Sequence, residues 1–181
     1  MKVVLVSLMT IDGKITKVSE TDIYNWTSIE DQNFFFSLVA KNNLIVMGSR
    51  TYKAAKKYIK LGKNQLRIIM TKNPEKYQDD CIPKKIEFTN ESPEKLIERL
   101  EKLKYRQILV VGGGKINTSF FKANLVDELY LTIEPKIFGK GKPIIAEENL
   151  DISLRLVSIK RLNKQGTLLL HYSKQNKQLD F

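Results

Sequence analysis

Two glycine-bearing junctions carry the chemistry most directly legible in this chain. Val110-Val111-Gly112-Gly113-Gly114-Lys115 sets three consecutive glycines between an apolar strand and the start of a helix. Glycine has no Cβ, so a bound group can approach the backbone closely there. The first N–H groups of the helix, which have no partner within it, are left to face phosphate. Val46-Met47-Gly48-Ser49-Arg50-Thr51 repeats the strand–glycine–helix form. Two such junctions in one small α/β chain point to a nucleotide site, although each taken alone is also satisfied by a plain tight turn. No Gly-x-Gly-x-x-Gly follows the first strand and no Walker A sequence is present, which disfavours a dinucleotide Rossmann or P-loop site.

Two carboxylates stand near element boundaries. Ser28 reads as the N-cap of a helix and places Asp31 at N3, a carboxylate form of the capping box. Asp31 is then either a first-turn acid that favours the helix dipole or a pocket acid. Asp12 follows the first strand in the turn Asp12-Gly13-Lys14, where it either bonds its own turn or faces a ligand. Tyr24 and Trp26, in a polar loop, serve a satellite core or a pocket wall. His171 is the only histidine and Cys81 the only cysteine. An intrachain disulfide is excluded, and one thiol with one histidine is poor material for structural zinc, so no metal site is expected. His171 lies in a late strand, where a structural or surface role is expected. No His-x-Glu with a downstream Pro-Cys-x-x-Cys occurs, which excludes zinc deamination.

The elements that must position these residues follow from apolar periodicity. Lys2–Thr10 reads as a strand covered on both faces. Phe34, Phe35, Leu38 and Val39 form the stripe of a helix after Ser28. Leu44–Met47 is a strand, Thr51–Ile59 a short helix, Leu66–Met70 a strand, 74–84 a loop and Ile86–Phe88 a short strand. Ser92-Pro93 opens a helix running to Lys104, with Leu96, Ile97, Leu100 and Leu103 inward. Gln107–Val111 is a strand and Lys115–Lys122 a helix. Strict alternation then takes over in 128–134, 154–162 and 167–172, the last two flanking the hairpin turn Asn163-Lys164-Gln165-Gly166. Parallel βα units followed by antiparallel strands imply one mixed sheet with helices on both faces.

The chain has 181 residues, a formal net charge of +11 and 42% hydrophobic residues, ordinary values for one soluble domain apart from the charge. The lysines are spread over every segment, so solvated faces and an anionic small-molecule ligand both account for them. A basic nucleic-acid-binding module is the alternative of another class. No apolar run reaches the roughly 20 residues needed to span a bilayer. A soluble protein of a reducing cytoplasm is expected.

Several segments together resemble the dihydrofolate reductase superfamily, and within it the reductase domain of bacterial riboflavin biosynthesis and its stand-alone relatives. They are Ser7–Ile15, Ser28–Phe35, Val46–Tyr52, Val110–Gly114 and Leu125–Gly139. The resemblance implies a dihydrofolate-reductase-like three-layer α/β fold with a mixed, mostly parallel sheet and a C-terminal antiparallel hairpin. It implies one reductase domain over 1–175 followed by a polar tail over 176–181, and a homodimer. It further implies hydride transfer from NADPH to a pyrimidine-type small molecule, with or without a phosphate, and no nucleic acid or membrane partner. Gly48, Ser49, Arg50 and Thr51 match the first cofactor junction. Thr71 and Lys72 match the segment beside the adenosine 2′-phosphate, and Gly112, Gly113, Gly114, Lys115 and Ile116 match the pyrophosphate turn. Arg50, Lys72 and Lys115 are cations suited to phosphate. Asp31 and Asp12 are the implied catalytic acids, and Trp26, Phe35 and Lys14 the implied substrate contacts, with Lys136 and Lys140 as further candidates for a substrate phosphate. The riboflavin reductases carry a glutamate before their paired glycines, where this chain has Val111. In that respect it is closer to folate reductases, whereas Asp127-Glu128-Leu129 and Pro135–Gly139 follow the riboflavin branch.

Overall fold

The computed structural model describes residues 1–18 and 22–175. The expected tail over 176–181 lies outside the described residues. In chain order the elements are β1 (Lys2–Thr10), α1 (Ile29–Lys41), β2 (Leu44–Gly48), α2 (Ser49–Ala55), β3 (Leu66–Met70), β4 (Ile86–Thr89), α3 (Pro93–Lys102), β5 (Gln107–Val110), α4 (Gly114–Lys122), β6 (Glu128–Glu134), β7 (Leu154–Arg161) and β8 (Leu168–Lys174). Single 3₁₀ segments form at Ile23–Asn25, Lys56–Tyr58 and Pro74–Asp80.

The strands make one sheet in the order β4-β3-β2-β5-β1-β6-β8-β7. Every pairing from β4 across to β6 is parallel, and β8 pairs antiparallel with both β6 and β7. Successive side chains of a strand point to opposite faces, and the buried central strands therefore feed two cores. Val3, Leu5, Val46, Ile68 and Val110 pack with Leu96 and Leu100 of α3 and Phe120 of α4. Val4, Val6, Ile45, Met47, Ile69 and Leu109 pack with Tyr52 of α2 and the Phe34, Phe35, Leu38 and Val39 stripe of α1. The result is the three-layer architecture expected from the sequence.

Three local readings are corrected. α2 begins at Ser49, directly after Gly48, and gives way after Ala55 to the 3₁₀ turn Lys56–Tyr58. The loops around Tyr24 and after Pro74 wind into 3₁₀ turns. Leu103 is 59% exposed rather than inward. Lys104 adopts a φ of 63° and ends α3, with Tyr105 N–H donating to Leu100 O and Lys104 N–H to Glu101 O. That six-to-one and five-to-two pattern is a Schellman motif, and it turns Tyr105 rather than Leu103 onto the core.

The order of strands fixes where a ligand can lie. From β1 the chain crosses to β2 and moves outward through β3 and β4. It then returns to insert β5 between β2 and β1 and crosses over to β6. The reversal leaves a crevice at the carboxyl ends of β1, β2 and β5, the position at which open α/β sheets bind ligands.

Candidate active site

Both glycine junctions open into that crevice and touch each other. Gly48 N–H donates to Gly112 O at 2.8 Å and Val111 N–H to Val46 O at 2.9 Å. Gly112 has a φ of +85°, a conformation that side chains resist, and its peptide bond to Gly113 is cis. Gly114 is the first residue of α4, and a Cβ there would stand 2.4 Å from the Pro143 carbonyl oxygen. The α4 N-terminus can lie under the 142–144 loop only because that Cβ is missing. Asn117 Nδ2 donates to Ile144 O at 2.9 Å from the next turn of α4 and holds the same loop.

A groove of about 2390 Å³ runs from these turns along α1. Gly48, Ser49, Arg50 and Thr51 line it at one junction, Gly112, Gly113, Gly114, Lys115 and Ile116 at the other, and Thr71 and Lys72 at the end of β3. Arg50, Lys72 and Lys115 are exposed, and among the described residues none of them pairs with a carboxylate. Asp31 and Phe35 line the α1 side of the same groove.

Asp31 is 4% exposed. The Ser28 hydroxyl accepts its N–H at 3.3 Å, which fixes the first turn of α1 as the capping pattern predicts. Burial pushes the Asp31 carboxyl up from 3.8 to about 6. The Thr132 hydroxyl pulls the other way, and the Glu134 carboxylate pushes further up. Thr132 Oγ1 lies close enough to act on Asp31 but outside hydrogen-bonding geometry, and it is buried without a partner.

Other candidates stand elsewhere. Asp12 accepts hydrogen bonds from the Thr10 hydroxyl, from Phe138 N–H at 3.2 Å and from Gly139 N–H at 2.7 Å. These bonds hold its carboxyl below the ordinary range, the Thr10 bond foremost, and staple the β1 turn to the 135–139 loop. Lys14 bridges Pro143 in an antiparallel contact. Trp26 is buried and packs edge-on against Phe138 at 4.9 Å. Neither these three nor Lys136 and Lys140 line the groove. His171 stacks on Tyr130 at 4.2 Å, with Nε2 3.4 Å from Glu128 Oε2. Tyr24 does line the groove, stacked on Phe36 at 5.8 Å and edge-on to Tyr58 at 4.5 Å.

Sequence reasoning passed over Glu134. It closes the alternating run of β6 and reads there as an outward charge, yet it is 2% exposed. The available signal was Thr132 and Glu134 sharing one face of a strand that ends beside the helix bearing Asp31.

Residues 1–168 match the RibD C-terminal domain family. The chain belongs to that family. Among curated relatives, YwjB of Bacillus subtilis (strain 168) is 27% identical over 176 residues, which are 94% of this chain and 97% of YwjB. Two solved structures share the fold. One is a diaminohydroxyphosphoribosylaminopyrimidine deaminase/5-amino-6-(5-phosphoribosylamino)uracil reductase from Thermotoga maritima, with a TM-score of 0.74 and 18% identity over 96% of this chain and 56% of that chain. The other is the dihydrofolate reductase from Enterococcus faecalis complexed with NADP(H) and RAB-propyl, with a TM-score of 0.72 and 19% identity over 97% of each chain. In this RibD C-terminal domain, no helix among the described residues is long and apolar enough to cross a membrane. No cluster of three or more His, Cys, Asp or Glu side chains among them is arranged to hold a metal.

Proposed function

We propose that this RibD C-terminal domain is an NADPH-dependent reductase of a pyrimidine-type small molecule, similar to a 5-amino-6-(5-phosphoribosylamino)uracil reductase. One observation carries the reading: a single groove joins both glycine junctions to the buried Asp31. The residues present suit the cofactor. Gly48–Thr51 and Gly112–Ile116 bring the starts of α2 and α4 to the groove, where first-turn N–H groups such as those of Gly114 and Lys115 and the helix dipole would favour a pyrophosphate. Arg50, Lys72 and Lys115 line the groove without a carboxylate partner among the described residues and would meet its phosphates, with Thr71 as a neutral donor. When bound, the nicotinamide supplies the hydride. The protein supplies orientation and proximity. Phe35 offers a face to a flat ring, and Asp31 holds or accepts a proton at the ring's amidine edge. Asp12 stands outside the groove and holds the 135–139 loop to the turn after β1. The exposed Leu156, Val157 and Ile159 of the edge strand β7 support pairing of two copies.

The placement of Asp31 also favours a second reading, hydride delivery to a ring carbon of a folate-like substrate, for which this acid is indispensable. Titration with NADPH, then turnover with the aminouracil intermediate and with dihydrofolate, tests both. Asp31→Asn is expected to depress kcat far more than NADPH affinity. Unchanged turnover removes the folate-type reading. Absence of NADPH binding, together with nucleic-acid binding that falls steeply with salt, refutes the reductase assignment altogether.

A further inference from the structure

We propose that Glu134 is a positioning residue for Asp31: it ties the start of α1 to the turn of the C-terminal hairpin and so fixes where Asp31 stands in the groove. The inference rests on the reading of Asp31 as the groove's acid. Glu134 is buried at the end of β6 and, among the described residues, forms no ion pair. A buried carboxylate with no cation is costly unless its oxygens are satisfied. Here they are satisfied by two distant segments. Oε1 accepts Ser28 N–H at 2.7 Å and Oε2 accepts the Thr167 hydroxyl at 2.8 Å. Ser28 is the N-cap whose own hydroxyl accepts Asp31 N–H.

The other branch runs into the turn between β7 and β8. Asn163 Nδ2 donates to Thr167 Oγ1 at 2.9 Å and to Glu30 Oε2 at 3.2 Å. Asn163 Oδ1 accepts Gly166 N–H and Thr167 N–H, each at 3.1 Å. The first turn of α1 is therefore gripped twice by the hairpin, through Glu134 at Ser28 and through Asn163 at Glu30. A neutral amide would serve as a staple equally well. A carboxylate adds a negative charge that Asp31 feels. The groups facing Asp31 are Thr132 and Glu134 from β6 and Tyr24 from the preceding loop. Glu30, on its own helix, is turned to Asn163, and Lys164 of the hairpin turn is exposed.

The decisive measurement is the titration of the Asp31 side-chain carboxyl by carbon-13 NMR in wild type, Glu134→Gln, Thr167→Val and Thr167→Ser. Glu134→Gln keeps the shape and removes the charge, and is expected to lower the Asp31 midpoint below its value of about 6. Thr167→Val cuts the link without touching β6 or α1. It is expected to displace the Asp31 titration and, in the active enzyme, to lower kcat by about 10- to 100-fold with NADPH affinity unchanged, while Thr167→Ser behaves as wild type. Thr167→Val and Thr167→Ser proteins that match each other in Asp31 titration and in turnover overturn the proposal. Wild-type protein that binds no NADPH and turns over neither substrate instead refutes the reductase reading, and the NMR titrations still decide the coupling.

Discussion

Replacing Asp31 with asparagine should make this protein more stable at neutral pH, by an amount that depends on pH in a defined way. Burial raises the Asp31 carboxyl from 3.8 to about 6 in the folded chain. The folded state therefore binds more protons than the unfolded state between those two values, and this group's contribution to stability falls as pH rises through that window. Below pH 3.8 the carboxyl is neutral in both states and costs nothing; above pH 6 the whole cost is present. At about 1.4 kcal/mol per pH unit, the cost amounts to roughly 3 kcal/mol. Asparagine has nearly the same shape and cannot ionise. Urea unfolding of both proteins at intervals from pH 3.5 to 8 isolates the effect, because titrating groups that are not coupled to Asp31 cancel in the difference. The two stabilities should nearly coincide at the acid end and diverge until Asp31→Asn leads by about 3 kcal/mol at pH 8, or roughly 6–12 °C in melting temperature. A difference that stays flat across the window, or an asparagine variant less stable at pH 8, refutes the argument. A variant that gains stability while losing turnover is the pattern of a site held in a costly state for function.

Gly114→Ala should destabilise the fold by about 1–3 kcal/mol and weaken NADPH binding, because its Cβ meets the Pro143 carbonyl oxygen rather than a movable side chain. Gly139→Ala, at a φ of +65° with nothing within 4 Å, should cost only local strain of about 1 kcal/mol and leave NADPH binding unchanged. Melting curves and cofactor titrations on the two variants separate close approach from conformational strain. Arg50→Gln, Lys72→Gln and Lys115→Gln should each weaken NADPH about two- to fivefold and flatten its dependence on salt. Lys72→Gln should leave NADH affinity unchanged, and equal losses for the two cofactors would place Lys72 away from the 2′-phosphate.

The parts legible in the sequence are those governed by local rules. Ser28 and Asp31 announce the first turn of α1 because a cap acts over three residues. The near-continuous apolar runs of β1, β2 and β5 announce interior parallel strands because both faces must be covered. What escaped depends on contacts between distant segments. Leu103 obeys the helical period of α3, but the Schellman turn at Lys104 and Tyr105 ends the helix before Leu103 can face inward. Trp26 reads in the sequence as pocket wall or satellite core, and its contact with Phe138, more than a hundred residues away, is one that no local rule reveals. Glu134 fits an alternating strand with one wet face, and only the arrival of α1 and the β7–β8 turn on that face makes it interior.

The distribution of charge argues more about function than the net value of +11 does. Among the described residues Lys2 pairs with Glu128, Lys56 with Asp80, Lys57 with Asp22, Lys102 with Glu98 and Lys122 with Glu148, while most of the other lysines and arginines have no carboxylate partner. What distinguishes Arg50, Lys72 and Lys115 is their place: they line the groove beside the glycine turns, without a carboxylate partner among the described residues, and the N-terminus of α4 adds positive potential of the same sign. Along α1 the groove is lined by the buried Asp31 and by the aromatic rings of Phe35 and Phe36. The glycine turns and Asp31 are thus separate stations on one continuous lining. On the proposed function, phosphates would be drawn to the glycine turns and a ring bearing N–H donors to Asp31. Two ligands bound in that sense would meet between the turns and the acid, which is where the proposed hydride transfer requires them to be.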